Sequence, residues 1–316
     1  MTKNDALKKF YTNNNIDPKT VHTRDRIADL PVKLDNWLFN IDPADQTTFL
    51  EAFSRYTYLT QKECQERFGI LVDMLEKEIQ KHSINLNEVL YVTIESSSGI
   101  KSGGDNVRSD IQVYNFNKID NEQILAAQSK FAEEQLEGIK AVVFVDDIIG
   151  TGKTIWNEFY NFCSNHNLNG YGLPKLYYMC LSPTEKAIKH LNKNFKKFDY
   201  KVNSIYKQEW ISSKAFANDS EEYKIVNKYE KAIDDFFTES KLSYRMGFEK
   251  GCLLISFYYN TPNNTVSCFW RPTDFNKPPF QRKGKECKRP SISELTKKKK
   301  QADEKIYSFA VNRSKY

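Results

Sequence analysis

The stretch Ala141 to Thr154, AVVFVDDIIGTGKT, limits what this chain can fold into more than any other. Ala141 to Val145 is too short an apolar run for a helix, and its Val and Phe residues favour a buried strand. Two acids follow, Asp146 and Asp147, then a turn through Gly150, Thr151 and Gly152. A helix is expected from near Lys153, through Ile155, Trp156, Phe159, Tyr160 and Phe162. In open parallel sheets, ligands bind beyond the carboxyl ends of the strands. The turn there aims N–H groups and hydroxyls at an anion, and the helix start adds about half a positive charge. Carboxylates beside such an anion site suit hydroxyls or a hydrated Mg²⁺, so the stretch fits a sugar phosphate.

GTGKT also raises the P-loop, which needs Gly, four residues, then Gly-Lys-Ser/Thr. Its first Gly would fall on Asp147, so the wide phosphate cradle has no start. A structural βα turn with a capping Asp is the plain alternative. The stretch resembles instead the phosphoribosyl-diphosphate signature of the type I phosphoribosyltransferases. That signature is an apolar strand, two acids, two spacers, a small residue and Thr-Gly-x-Thr. VVFV, Asp146-Asp147, Ile148-Ile149, Gly150 and Thr151-Gly152-Lys153-Thr154 match it position by position. The resemblance implies that Gly150, Thr151, Gly152, Lys153 and Thr154 hold a 5-phosphate. It also implies that Asp146 and Asp147 hold the ribose hydroxyls, directly or through Mg²⁺, which makes them the metal candidates.

Val89 to Ile94 reads as an earlier strand, followed by the loop ESSSGIKSGG. Small residues allow close backbone approach, and successive N–H groups with hydroxyls and a Lys make an anion nest. In the phosphoribosyltransferases the corresponding loop holds the diphosphate leaving group, which assigns that role to Ser98, Gly99 and Lys101. A plain Ser/Gly-rich loop is the competing reading. Arg108 is either an exposed Arg or a phosphate partner.

The remaining pattern is expected to be α/β: a doubly wound, mainly parallel sheet, type I phosphoribosyltransferase-like, with an N-terminal helical region. Residues 1–88 read as that helical region, 89–275 as the α/β domain and 276–316 as a basic extension. A helical segment is expected from Asp42 through Tyr58. A second, capped by Thr60, carries a stripe of Phe68, Leu71, Leu75 and Ile79. Trp37 is expected to be buried. Strands are expected at 111–116, 175–181 and 198–206, and helices at 121–136, 183–192 and 220–237. Cys252 to Tyr259 and Val266 to Trp270 read as a hairpin joined by Asn260–Thr265. The Asn residues of that turn could alternatively read a base edge. The family's flexible closing loop would here be short or replaced by the 117–123 connection. The loop MGFEKG, residues 246–251, suggests no role.

No run of about 18 apolar residues exists, so no membrane span is expected. The polar N-terminus carries no signal-peptide core, and the six Cys form no CxxC. These features point to reduced thiols in a cytoplasmic protein. Net charge is +6, but residues 281–316 carry twelve Lys and Arg against four acids, so the tail alone supplies the surplus. A solvated tail and a contact with nucleic acid both fit it.

The helical region, the VDD core and the late FYYNTPNNT…W segment together resemble phosphoribosyltransferase-like effectors of bacterial conflict systems, over about Trp37 to Trp270. This implies phosphoribosyl diphosphate or a nucleotide as ligand and chemistry at the ribose anomeric carbon. It also implies a toxin role in antiphage operons, some of them encoding retron reverse transcriptases and winged-helix proteins. The tail would then meet a reverse transcriptase, a winged-helix protein or nucleic acid. The alternative is a catalytically silent ligand-sensing or scaffold subunit of the same fold.

Overall fold

A computed structural model of the chain describes residues 1–94, 103–115, 117–127, 137–165, 175–197, 201–237 and 243–282. Ser98, Gly99, Lys101 and the basic tail from 283 therefore lie outside the described residues, as does most of the helix expected over 121–136. The chain begins with α1 (Lys3–Asn13), α2 (Leu30–Leu38), α3 (Gln46–Ser54), β1 (Thr57–Leu59) and α4 (Gln61–Gln80). The central layer follows: β2 (Val89–Thr93), α5 (Gly103–Asn115), β3 (Ile124–Ala126), β4 (Ala141–Ile149) and α6 (Lys153–Asn165). Then come β5 (Lys175–Pro183), α7 (Glu185–Lys197), β6 (Val202–Ile205), α8 (Glu221–Phe236) and β7 (Ile255–Phe257).

Five strands form one sheet in the order β3-β2-β4-β5-β6, and every pairing in it is parallel. Strand alternation sends side chains to two separate cores. Val89, Tyr91, Val143, Val145, Tyr177 and Met179 pack under α4 and α5. Leu90, Val92, Val142, Phe144, Leu176 and Tyr178 pack under α6 and α7. The β4-facing side of those two helices buries Ile155, Phe159, Phe162, Leu191 and Phe195, each stabilising the layer by roughly 1.5–3 kcal/mol. Helices on both faces of a parallel sheet make this the doubly wound α/β fold expected. Strand order reverses between β2 and β4: β3 lies outside β2, whereas β5 and β6 lie beyond β4.

A third core unites chain ends far apart in sequence. Phe10, Leu34, Trp37, Phe49 and Phe53 from the first three helices pack with Phe216, Val226, Ile233, Phe269 and Phe280. Trp37 is buried as expected, and its indole N–H donates to the Cys268 carbonyl at 3.0 Å. The Phe280 ring stacks on Tyr56 with centroids 4.3 Å apart. β1 and β7 add a separate two-stranded parallel ladder. Thr60 caps α4 as expected, accepting from the Glu63 N–H, and Ser220 caps α8 in the same way, accepting from the Tyr223 N–H.

Four local expectations are corrected. Residues 111–115 are helical, in α5, not a strand. The Ile111/Val113 alternation mimics a strand, yet Val107, Asp110 and Ile111 are buried while Val113 and Tyr114 are exposed, a helical period. Residues 124–126 form the edge strand β3 instead of helix. The Gln123 side chain pins that edge by donating to the Leu86 and Val89 carbonyls. The segment begun by Asp42 becomes helix only at Gln46, and Tyr58 belongs to β1.

The expected 252–270 hairpin is absent as well. β7 pairs with β1, and Leu253 and Thr265 meet only in a single parallel bridge. The connection between them is no solvent turn, because Thr261 is fully buried. Its hydroxyl accepts from Arg26 and donates to the Phe280 carbonyl. Arg26 also donates to the Phe257, Phe280 and Gln281 carbonyls, so Thr261 is part of the network that ties the third core together.

Candidate active site at the carboxyl end of β4

β4 outruns its neighbour. Its pairing with β2 ends at Thr93 opposite Val145, whereas its pairing with β5 continues to Ile149 opposite Pro183. Asp146 and Asp147 therefore sit just past the last β2 pair among the described residues. Each side chain accepts from the next backbone N–H: Asp146 from the Asp147 N–H at 2.9 Å and Asp147 from the Ile148 N–H at 2.6 Å. This is the carboxyl end of a strand at the reversal of strand order, the place where open α/β sheets bind ligands.

The two acids have different surroundings. Alternation places Asp146 on the α6/α7 face, half-buried, and Asp147 on the α4/α5 face, buried. The Tyr259 hydroxyl donates to Asp147 Oδ2. Burial raises both carboxyls above their usual range, the Asp147 charge adds to the rise at Asp146, and the Tyr259 hydrogen bond pulls Asp147 back. Of the pair, Asp146 is the more open to a ligand.

Behind Asp147 stands a second acid–tyrosine pair. Tyr258 donates to Asp110 Oδ1 at 3.0 Å, and Gln65 reaches the same oxygen at 3.4 Å. Asp110 is 1% exposed, and its other oxygen has no hydrogen-bond partner among the described residues. Burial pushes this carboxyl up to about 6, against the pull of the Tyr258 bond.

The turn after β4 is built for close approach. Gly152 has φ +76°, and a Cβ there would meet the Ala187 carbonyl oxygen at 3.1 Å. Thr184, at the end of β5, donates to the Gly150 carbonyl at 2.6 Å and accepts from the Ala187 N–H, locking the turn to α7. A Cβ at Gly150 would collide with the Asn264 carboxamide, which lies directly on the turn. Thr151 accepts from the Lys153 N–H at 3.4 Å, and Lys153 and Thr154 are exposed on the first turn of α6. Gly150, Thr151, Gly152, Lys153 and Thr154 are thus brought together around the start of one helix, next to Asp146.

Glu249 closes this arrangement from the 246–252 segment. Its carboxylate lies 2.5 Å from Lys153 Nζ and 3.0 Å from Lys186 Nζ, and the two ammonium groups hold it below the usual range. The segment is bent tightly: Met246, Gly247, Glu249, Lys250 and Cys252 all have positive φ.

Sequence reasoning missed Glu249, Tyr259, Asn264 and Asp110 as parts of the site. The FYYNTPNNT segment was itself a signal, but its role is to buttress the β4 turn. Asn264 packs on Gly150 and donates to the Phe248 carbonyl, and Asn260 accepts from the Thr261 N–H. Arg108 is half-buried on α5.

A parallel, doubly wound sheet whose reversal-point turn carries Asp-Asp, two spacers, a small residue and Thr-Gly-x-Thr defines a phosphoribosyltransferase-like protein. The profile of the PRTase-CE family matches residues 34–282, and the chain belongs to that family. No curated protein matches it. Among the described residues no helix is long and apolar enough to cross a membrane.

Proposed function

We propose that the chain is an enzyme that binds phosphoribosyl diphosphate or a related nucleotide with Mg²⁺ and acts at the ribose anomeric carbon. One observation carries the reading: the acid pair and the glycine–threonine turn that opens α6 occupy the same strand end, at the sheet's reversal point. The N–H groups at the start of α6, with the Thr151 and Thr154 hydroxyls, would hold the 5-phosphate. Asp146 would orient the ribose hydroxyls, with Asp147 behind it steadied by Tyr259. As C–O cleavage leaves an oxocarbenium-like carbon, the carboxylates would favour its charge, while Lys101 with Ser98 and Gly99 would steady the departing diphosphate.

The acids suit a divalent cation, because burial and then the Asp147 charge disfavour the ionised Asp146, and a cation would offset both. Among the described residues no group of three or more His, Cys, Asp or Glu forms a cage. That is compatible with Mg²⁺ held by one or two carboxylates together with substrate phosphates, which neutralises charge on the diphosphate.

On the same reading the chain is a toxin effector of antiphage, retron-associated defence. Its tail from 283 would meet a reverse transcriptase, a winged-helix protein or nucleic acid. Asp146→Asn combined with Asp147→Asn should abolish binding of phosphoribosyl diphosphate and release of diphosphate; unchanged activity removes the proposal. The contacts that engage the site's own groups, Tyr259 on Asp147 and Glu249 on Lys153, favour a second reading, a silent ligand-sensing or scaffold subunit. That reading gives saturable binding without release of diphosphate or base.

A further inference from the structure

A cavity of about 390 Å³ opens between the 209–215 segment, the amino-terminal half of α4 and the β1–β7 ladder. None of residues 146–154 lines it. Its floor is nonetheless one strand away, since Ser182 on β5 pairs with Ile148. Three cations line it, Arg55, Arg67 and Lys214, against a single acid, Glu209. Arg67 gives one nitrogen to Glu63 at 2.6 Å and lies 4.7 Å from the Trp210 ring centre, so its guanidinium is fixed on two sides with donors to spare. Arg55 shares Glu222 at 3.2 Å. Lys214 is exposed. Glu209 is already engaged by Lys207 at 3.1 Å.

Hydroxyls complete the lining. Ser182 is 2% exposed, and its Oγ lies 2.6 Å from Ser212 Oγ. Ser182 Oγ also donates to the Trp210 carbonyl at 3.5 Å, which makes Ser212 the donor between the two hydroxyls. Guanidinium donors held by their neighbours, with an exposed ammonium group beside them, are the groups that recognise a phosphate ester. Sites for small organic ligands span about 300–1,000 Å³, and this cavity falls at the lower end of that range.

We propose that this cavity is a second ligand site, separate from the β4 turn, that takes a small organic phosphate through Arg55, Arg67 and Lys214. The site does not depend on the activity proposed for the β4 turn. Trp210 in its wall gives an optical readout.

The test titrates the full chain with AMP and with ribose 5-phosphate, by calorimetry and by tryptophan fluorescence. One or both should bind, and the stronger binder tells a nucleotide from a sugar phosphate. Lys214→Glu should weaken that binding tenfold or more, and Trp210→Phe should remove the fluorescence change while calorimetric binding persists. Lys214 is at the surface, so its substitution should leave the melting temperature unchanged. Lys153→Ala should leave this binding intact while weakening any ligand of the β4 turn. The proposal is overturned if neither probe binds at millimolar concentration, if Lys214→Glu binds as tightly as the wild type, or if Lys153→Ala abolishes the signal instead.

Discussion

Replacing Glu249 by Gln should make the β4 turn a better phosphate binder. A phosphate arriving at the start of α6 competes with a carboxylate already paired to Lys153 and Lys186. To recruit both ammonium groups it must break ion pairs of 2.5 and 3.0 Å. The lysine side chains are 60% and 56% accessible, so each pair is worth only the ~0.2–1 kcal/mol of a solvent-exposed bridge. The two together oppose the ligand by about 0.5–2 kcal/mol, or roughly 2- to 30-fold in affinity. Gln is nearly isosteric and keeps the backbone of Glu249, so the tight 246–252 bend is not disturbed. The assay is calorimetric titration of the full chain with phosphoribosyl diphosphate and with orthophosphate, at low salt and at high salt. The variant should bind both more tightly, and the gap should shrink as salt screens the competing pairs. Equal or weaker binding by a variant of unchanged melting temperature would refute the competition.

Tyr259→Phe removes the hydroxyl that Asp147 accepts from. It should cost about 1.5–3 kcal/mol of unfolding free energy, the range for a hydrogen bond to a charged group, and raise the apparent pKa of the acid pair, read from urea melts and the pH profile of ligand binding. Gly150→Ala drives a Cβ into Asn264, so it should weaken binding at the turn and lower stability; adding Asn264→Gly should restore much of both, and a strictly additive double variant would contradict the contact. Asp110→Asn tests the raised carboxyl by its pH dependence. The acid titrates at about 6 when folded, against 3.8 ordinarily, so the wild type bears a charge-burial cost above pH 6 that disappears as pH falls towards 4. The variant should therefore gain stability relative to wild type between pH 4 and 7, by ~3 kcal/mol at most; a pH-independent difference would show that burial does not raise this group.

The parts of the site that lie close together in sequence were legible in it. Val142 to Val145, the acid pair and Gly152 need only short-range rules: β-branched strand residues, a turn that favours glycine and a helix start. Thr60 announced its helix in the same way. What was hidden depends on partners far along the chain. Tyr259 stands 112 residues from Asp147, and Glu249 stands 96 from Lys153. No local pattern marks either pairing. α5 was misread because only its inward stripe of Val107, Asp110 and Ile111 betrays the helical period, and one member of that stripe is an acid. The supposed hairpin failed because β7 found its partner in β1, nearly two hundred positions earlier.

Arg26 grips four groups between Phe257 and Gln281, and Phe280 fills a slot among aromatic rings contributed by the first sixty residues. During synthesis the opening helices therefore leave the ribosome long before the residues that complete their packing. The parallel sheet can assemble in that interval, but Asn264, Tyr259 and Glu249 reach the β4 turn only when the closing stretch arrives. A nascent chain halted before residue 249 would expose the bare turn, so arrival of the 249–264 stretch is itself the step that finishes the site.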